Sequence, residues 1–335
     1  MNFLANKTIL ITGGTGSFGS SFFKRLLSLK KKPKKIIIFS RDELKQFELS
    51  KIYSEKKFSN IRYFLGDIRD KERLKMAFED VDYVIHTAAL KQVPTAEYNP
   101  IEFVKTNVIG SQNIIEAAIE KNVKKVIALS TDKASSPINL YGATKLCADK
   151  LFLSANTLVG KKKTSFSVVR YGNVFASRGS VIPFFLNLVK KKQKLIITDP
   201  KMTRFNIDLD DAVKLVINVI KISTGGEIFV PKISSYRIMD IVKALQNKKD
   251  FKIVGIRPGE KLHEELISKA ESYNTFDLGN YFIIAGNQKS INYCIKNKHK
   301  RMKIGNNYNS LNNEHFLNIS QIKNLIENYK KKISS

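Results

Sequence analysis

Only two of the 335 residues are cysteine, Cys147 and Cys294. Two lone thiols make neither a disulfide framework nor a zinc ligand set, which suits a reducing, cytoplasmic setting. Long apolar runs are missing too, since none reaches the ~18 residues of a membrane span. The opening MNFLANKTILITGG has no charged leader ahead of an apolar stretch and a cleavage site, so no signal peptide is expected. Acid is scarce. Thirty Asp and Glu stand against 58 Lys and Arg, a formal charge of +28, and such an excess raises nucleic acid as a partner. The surplus lies in short runs, KKKPKK at 30–35 and KKK at 161–163, 190–192 and 330–332. None is interleaved with aromatic residues as a single-strand-binding surface would be. It reads as lysine filling solvated faces, so neither nucleic acid nor membrane is expected as a partner. No internal repeat and no metal-ligand cluster is visible.

What is present is alternation. TILIT (8–12), KIIIFS (35–40), IRYFLGD (61–67), VDYVIHTAA (81–89), KKVIALST (124–131) and SFSVVRYG (165–172) are near-continuous apolar runs, as in strands covered on both faces. Helical periodicity lies between them, in SFFKRLLSL and NVIGSQNIIEAAIEKN. The pattern predicts an α/β fold with a doubly wound, Rossmann-type parallel sheet. Beyond Asn173 the elements shorten, which predicts a smaller C-terminal substrate-binding cap. The division expected is 1–172 for the nucleotide domain, 173–287 mainly for the cap with some segments returning to the sheet, and 288–335 for a tail ending in a helix.

The first strand runs into GGTGSFGSSFFKRLL. Glycines in this place permit a tight turn and close approach of a pyrophosphate to a helix N-terminus. Gly13, Thr15, Gly16, Ser17, Phe18 and Gly19 are the candidate cradle. The second strand ends in Ser40-Arg41-Asp42, where the adenine ribose is read. Ser40, Arg41 and Lys45 suit a 2′-phosphate and so NADP, while Asp42 argues for NAD. Asp67 and Ile68 follow the third strand at the adenine, and small Ala88 and Ala89 follow the fourth.

STDKASSPINLYGATK (130–145) carries the chemistry. Tyr141 and Lys145 share a helix face. A nearby Lys ammonium and the positive nicotinamide are expected to lower the Tyr141 pKa, so that a phenolate takes a hydroxyl proton with Thr131 beside it. A simple alcohol oxidation has no use for Asp132 and Lys133. An acid and a base at that point supply an elimination, for which Asp132 needs a raised pKa and Lys133 a lowered one; burial pushes each that way and their mutual attraction opposes it.

TGGTGSFG, SRDELKQ, GDIRD, HTAALKQVP, STDKA with Tyr-x-x-x-Lys, RYGNV, TRF and RPGEKLHE together resemble the inverting UDP-N-acetylglucosamine 4,6-dehydratases, a family of extended short-chain dehydrogenase/reductases. The likeness spans about residues 8 to 265. It implies oxidation at C4, loss of water across C5 and C6, return of hydride to C6 and inversion at C5. The implied product is UDP-2-acetamido-2,6-dideoxy-β-L-arabino-hexos-4-ulose. It also implies tightly held NADP, a homo-oligomer that is often a hexamer, and the first step towards a nonulosonic acid such as pseudaminic acid, for flagellin or surface glycans. Lys91, in AALKQVP, is expected near nicotinamide and sugar. Asn173, Arg178, Arg204, Arg257 and Glu260 are the candidate substrate contacts, and His86 is expected to be structural. A UDP-hexose 4-epimerase on the same fold, or a capsule-pathway dehydratase, is the rival reading; a cofactor-sensing or nucleic-acid-binding protein is the remote one.

Overall fold

The computed structural model describes residues 2–177, 179–245 and 251–334. Six parallel strands form its centre: β1 Thr8–Thr12, β2 Lys35–Ser40, β3 Ile61–Leu65, β4 Tyr83–His86, β5 Lys125–Thr131 and β6 Ser165–Tyr171. Their spatial order is 3-2-1-4-5-6, so the order reverses between β1 and β4, and a crevice opens at the strands' carboxyl ends there. Beyond β6 the sheet continues with the parallel strand Glu227–Pro231, then with antiparallel Tyr281–Ala285, Thr275–Asp277 and Lys300–Arg301.

The apolar runs are buried on both faces because successive side chains alternate. Ile9 and Ile11 of β1 join one core with Phe18, Phe22 and Val216, while Leu10 joins the other with Leu74, Ile114 and Phe152. Each such side chain contributes roughly 1.5–3 kcal/mol by leaving water. Helices α1 Ser17–Leu27, α2 Glu43–Ile52 and α3 Lys71–Ala77 follow the first three strands. Asp42 and Asp70 cap α2 and α3 by accepting from the backbone N–H of Lys45 and Arg73. The long helix Leu140–Leu158 follows β5 and is capped by Asn139, whose Oδ1 accepts from Gly142 N at 2.7 Å.

The cap has its own core, built from Ile182, Phe185, Leu195, Met202, Ile241 and, from the final helix Ile319–Ser334, Ile322 and Ile326. Tyr308–Asn309 pairs with Glu265–Ile267. The segment after Gln288 therefore supplies a strand to the main sheet, a strand that pairs with Glu265–Ile267 and a helix to the cap's core.

Candidate active site

The turn from β1 to α1 is built for close approach. Gly13 sits at φ +64°, and a Cβ there would lie 2.8 Å from Thr87 Oγ1 and 2.9 Å from Ala88 Cα. A Cβ on Gly19 would lie 2.6 Å from Gly13 O, so Gly19 serves the packing of helix on loop. No side chain caps α1 at Gly16, which leaves its first amides facing the groove for an anion. Ser17 opens the helix and is exposed. The Phe18 side chain points into the core, stacked on Phe22 and Tyr171, so only its backbone can serve the groove.

Gly13, Thr15, Gly16, Ser40, Arg41, Lys45, Asp67, Ile68, Ala88 and Ala89 all line this groove. Thr15 Oγ1 and Ser40 Oγ are 2.9 Å apart. Asp42 is turned to its capping duty and pairs with Lys45 Nζ. Asp67 accepts from Arg69 at 2.8 Å and lies 3.7 Å from Arg41. Burial would raise its pKa, but these guanidiniums hold it below the usual carboxylate range. Thr106 also lines the groove, with its hydroxyl buried and without a partner. It belongs to the π-helical turn Val104–Ile109, a geometry that often marks functional sites. Next to it Asn107 accepts from Leu90 N at 2.9 Å and donates to Leu90 O at 2.9 Å and Thr144 Oγ1 at 3.1 Å. Neither residue was legible beforehand, because nothing local in VKTNVI announces a π turn. Uncapped amides, a glycine cradle and an orphaned hydroxyl fit a dinucleotide.

β5 delivers Thr131, and the short turn Asp132–Ala134 follows it. Thr131 Oγ1 donates to Asp132 Oδ1 at 2.9 Å, and Lys133 Nζ donates to the same oxygen at 3.1 Å. A Cβ on Gly142 would lie 2.2 Å from Lys133 O, so only glycine lets the long helix meet this turn. Asp132 is 0% exposed, and its Oδ2 has no partner. Burial raises its pKa against the pull of Lys133, the direction an acid needs.

Two expected directions are corrected. Burial would lower the Lys133 pKa, but Asp132 and Glu264 outweigh it and raise the value. The Tyr141 hydroxyl, expected low, is pushed up to about 12 by burial, although Lys133 and a hydrogen bond with Thr131 pull it down. Lys145 lies beneath, with Nζ donating to Leu129 O at 2.8 Å. Burial lowers its pKa, while Asp149 raises it. Asp149 in turn accepts from Ser130 Oγ at 2.8 Å and from the wholly buried Arg170 at 3.2 Å.

A second cleft, of about 670 Å³, opens above Lys133, within the ~300–1,000 Å³ usual for small-molecule sites. Asn173, Arg204, Arg257 and Glu260 line it. Asn173 Oδ1 is buried without a partner. Arg204 is committed to backbone, donating to Thr203 O at 2.8 Å and Leu262 O at 3.0 Å, with Glu264 3.8 Å away. Asn139 joins the two regions, since its Nδ2 donates to Gly259 O at 2.7 Å. Arg178 lies outside the described residues. Lys91 lies on an exposed rim in a small neighbouring depression with Leu90 and Thr95, not in the groove or the cleft. Glu264 is the residue sequence reasoning missed. It lay inside RPGEKLHE, yet nothing in the motif pairs it with Lys133, 3.2 Å away. His86 is buried against Thr12 at 2.8 Å, and among the described residues no cluster could hold a metal. No helix among them is long and apolar enough to cross a membrane.

Comparison with known proteins places this architecture. The model of a polysaccharide biosynthesis protein family matches residues 9–286. The inverting UDP-N-acetylglucosamine 4,6-dehydratase of Campylobacter jejuni strain 81-176 is 53% identical over 329 residues, 96% of this chain and 97% of that protein. The UDP-glucose 4-epimerase of Rickettsia bellii strain OSU 85-389 is 43% identical over 331 residues, 96% of each chain. The X-ray structure of Pen from Bacillus thuringiensis superposes with a TM-score of 0.88 at 41% identity, covering 98% of this chain and 99% of that one. The chain belongs to the polysaccharide biosynthesis protein family, in the group of extended short-chain dehydrogenase/reductases that includes the inverting UDP-N-acetylglucosamine 4,6-dehydratases.

Proposed function

We propose that the protein converts UDP-N-acetylglucosamine to its 4-keto-6-deoxy derivative with inversion at C5, giving UDP-2-acetamido-2,6-dideoxy-β-L-arabino-hexos-4-ulose. The observation that carries this reading is the Asp132–Lys133 pair, with Lys133 opening onto the cleft and Asp132 buried beneath it. The names of similar proteins include both dehydratases and epimerases. An epimerase expels no water and has no task for an acid and a base at this place.

A nicotinamide dinucleotide in the groove supplies the site to which the C4 hydride goes and from which it returns to C6. Tyr141, bonded to Thr131, takes the C4 hydroxyl proton. The C4 ketone acidifies the proton on C5. Lys133 takes that proton, and Asp132 protonates the C6 hydroxyl, which leaves as water. Two protons leave the sugar, from O4 to Tyr141 and from C5 to Lys133. Two are given back, from Asp132 to the C6 oxygen and from solvent to C5 on the face opposite Lys133. The site is reset when Tyr141 and Lys133 release their protons, one to Asp132 and one to solvent. The resting pair, ammonium with carboxylate, reaches its working form by one transfer along the 3.1 Å Nζ–Oδ1 hydrogen bond. That single step makes the acid and the base together, which resolves the raised Lys133 pKa.

NADP is the cofactor we infer. Support comes from Arg41 and Ser40 at the ribose end of the groove, with Asp42 drawn away to cap α2. The rest of the reading is a cytoplasmic homo-oligomer, a hexamer in the family pattern, that feeds a pseudaminic-type nonulosonic acid pathway. Exposed Tyr98, Ile101 and Ile109, in the successive short helical segments Val93–Tyr98, Pro100–Phe103 and Val104–Ile109, are consistent with self-association.

The test is incubation with UDP-N-acetylglucosamine in D2O, followed by proton NMR. A C6 methyl beside a C4 ketone, deuterium at C5 and L-arabino geometry are expected. D-xylo geometry would remove Lys133 from its assigned role, and a galacto product alone would make the protein an epimerase.

A further inference from the structure

We infer that Glu264 is a positioning residue of the elimination step, holding Lys133 Nζ at the cleft and stabilising the positive charge that Lys133 acquires on taking the C5 proton. The inference rests on the dehydratase reading above. Glu264 is 3% exposed, and its Oε1 accepts from Nζ at 3.2 Å. It is fixed from behind. Its N–H donates to Ser310 Oγ at 2.9 Å and its carbonyl accepts from Ser310 N at 2.8 Å. Ser310 is itself fully buried and shares a 2.7 Å hydrogen bond with Thr203 Oγ1. The C-terminal segment thus sets the position of a carboxylate in the cleft.

The charges explain why such an anion is wanted. Asp132, Glu264, Arg204 and Tyr141 face Lys133; Arg204 and Lys261 face Glu264; Tyr236 lies in the same field. Once Lys133 has passed its proton to Asp132, that partner is neutral. The Arg204 guanidinium then opposes any new charge on Nζ, and Glu264 is the anion left to offset it. A base oriented by a third group is the arrangement that activates catalytic bases elsewhere, and a fixed carboxylate in a water-poor site acts without reorganising. Glu264 suits that duty because it stays ionised: burial would raise its pKa, but Lys133 and Arg204 hold it down.

The experiment compares the full-length enzyme with Glu264→Gln and Glu264→Asp on UDP-N-acetylglucosamine in D2O. For Glu264→Gln we expect kcat to fall about 10²–10³-fold, with KM within about 3-fold. Reduced nicotinamide should build up, because C4 oxidation then outruns loss of the C5 proton. The acid limb of kcat should move to lower pH, since Lys133 without this anion deprotonates more readily. Glu264→Asp should recover part of the rate. If Glu264→Gln fails to fold, Ser310→Ala keeps the carboxylate and should give a smaller loss with the same build-up. Unchanged kcat with an unshifted acid limb would overturn the inference, as would oxidation and elimination falling together. If the unmodified enzyme makes no 4-keto-6-deoxy product, the dehydratase reading itself fails; where it does, the variants alone judge Glu264.

Discussion

The groove and the cleft are made in opposite ways. In the groove, polar side chains find partners a few residues away, Asp42 with Lys45 and Asp67 with Arg69, or in an adjoining βα unit, Thr15 with Ser40 and Asp67 with Arg41. In the cleft they depend on distant segments: Lys133 on Glu264, Ser135 on Glu265, Asn139 on Gly259. The groove is therefore complete once the neighbouring units of β1 to β4 have paired. The cleft exists only after the cap has closed over the sheet. Local construction suits a cofactor that is bound in the same way turnover after turnover. Long-range construction suits chemistry that has to be tuned, because several elements set the charge around one amine.

The strongest test of the contrast is Lys133→Met. It removes the amine and leaves β1 to β4 and the groove untouched. Dehydration should fall by about 10²–10⁴-fold, the usual worth of a positioned base, while titration with NADP gives the affinity of the unmodified enzyme. A parallel loss of NADP affinity would show that groove and cleft are not separately built. Methionine also leaves Asp132 buried without its cation, so thermal unfolding should be followed beside activity.

A smaller effect belongs to the groove. Arg41 is half exposed and 3.7 Å from Asp67, so Arg41→Ala costs little in folding. If it reads a 2′-phosphate, NADP binding should weaken by about 10–100-fold, the worth of one charge-assisted hydrogen bond, while NAD binding holds steady. Equal loss for both cofactors would assign Arg41 to the ribose or to Asp67 alone.

The same contrast explains what could be read from the sequence. Strand, glycine turn and helix are consecutive in TILITGGTGSFG, so periodicity and spacing carried the sheet and pointed to the candidate cradle. The candidate acid and base could be proposed together because Asp132 and Lys133 are neighbours in STDKA. Glu264 and Ser310 could not be, since no local pattern states which distant carboxylate a given lysine will meet. Lys91 was placed by its loop; it stands exposed on a rim that shares Leu90 with the groove. The pKa directions of Lys133 and Tyr141 differ from expectation for two reasons. For Lys133 the sign depends on the buried anions around it, and Glu264 was missing from the sum; for Tyr141 burial outweighs the neighbouring cation.

His86 gives the last and smallest test, on the groove's side of the contrast. It ends β4 and is buried between Thr12 and Phe152. Burial, helped by the Lys145 charge, lowers its pKa from 6.5 to about 3. In the unfolded chain it titrates normally, so between those values the unfolded state binds a proton that the folded state refuses. Stability is then fully present above pH 6.5 and declines as pH falls towards about 3. One unit below 6.5 the loss should be about 1.4 kcal/mol. Carboxylates titrate in the lower part of this window, so the difference between the enzyme and His86→Gln is the quantity to measure. Denaturant unfolding should find a constant gap above pH 7, narrowing by about 1.4 kcal/mol per unit as pH falls below the ordinary imidazole range. Parallel curves would mean that His86 accepts a proton where it stands. The end of β4 would then be wet, and the groove's floor would depend on the cap as much as the cleft does.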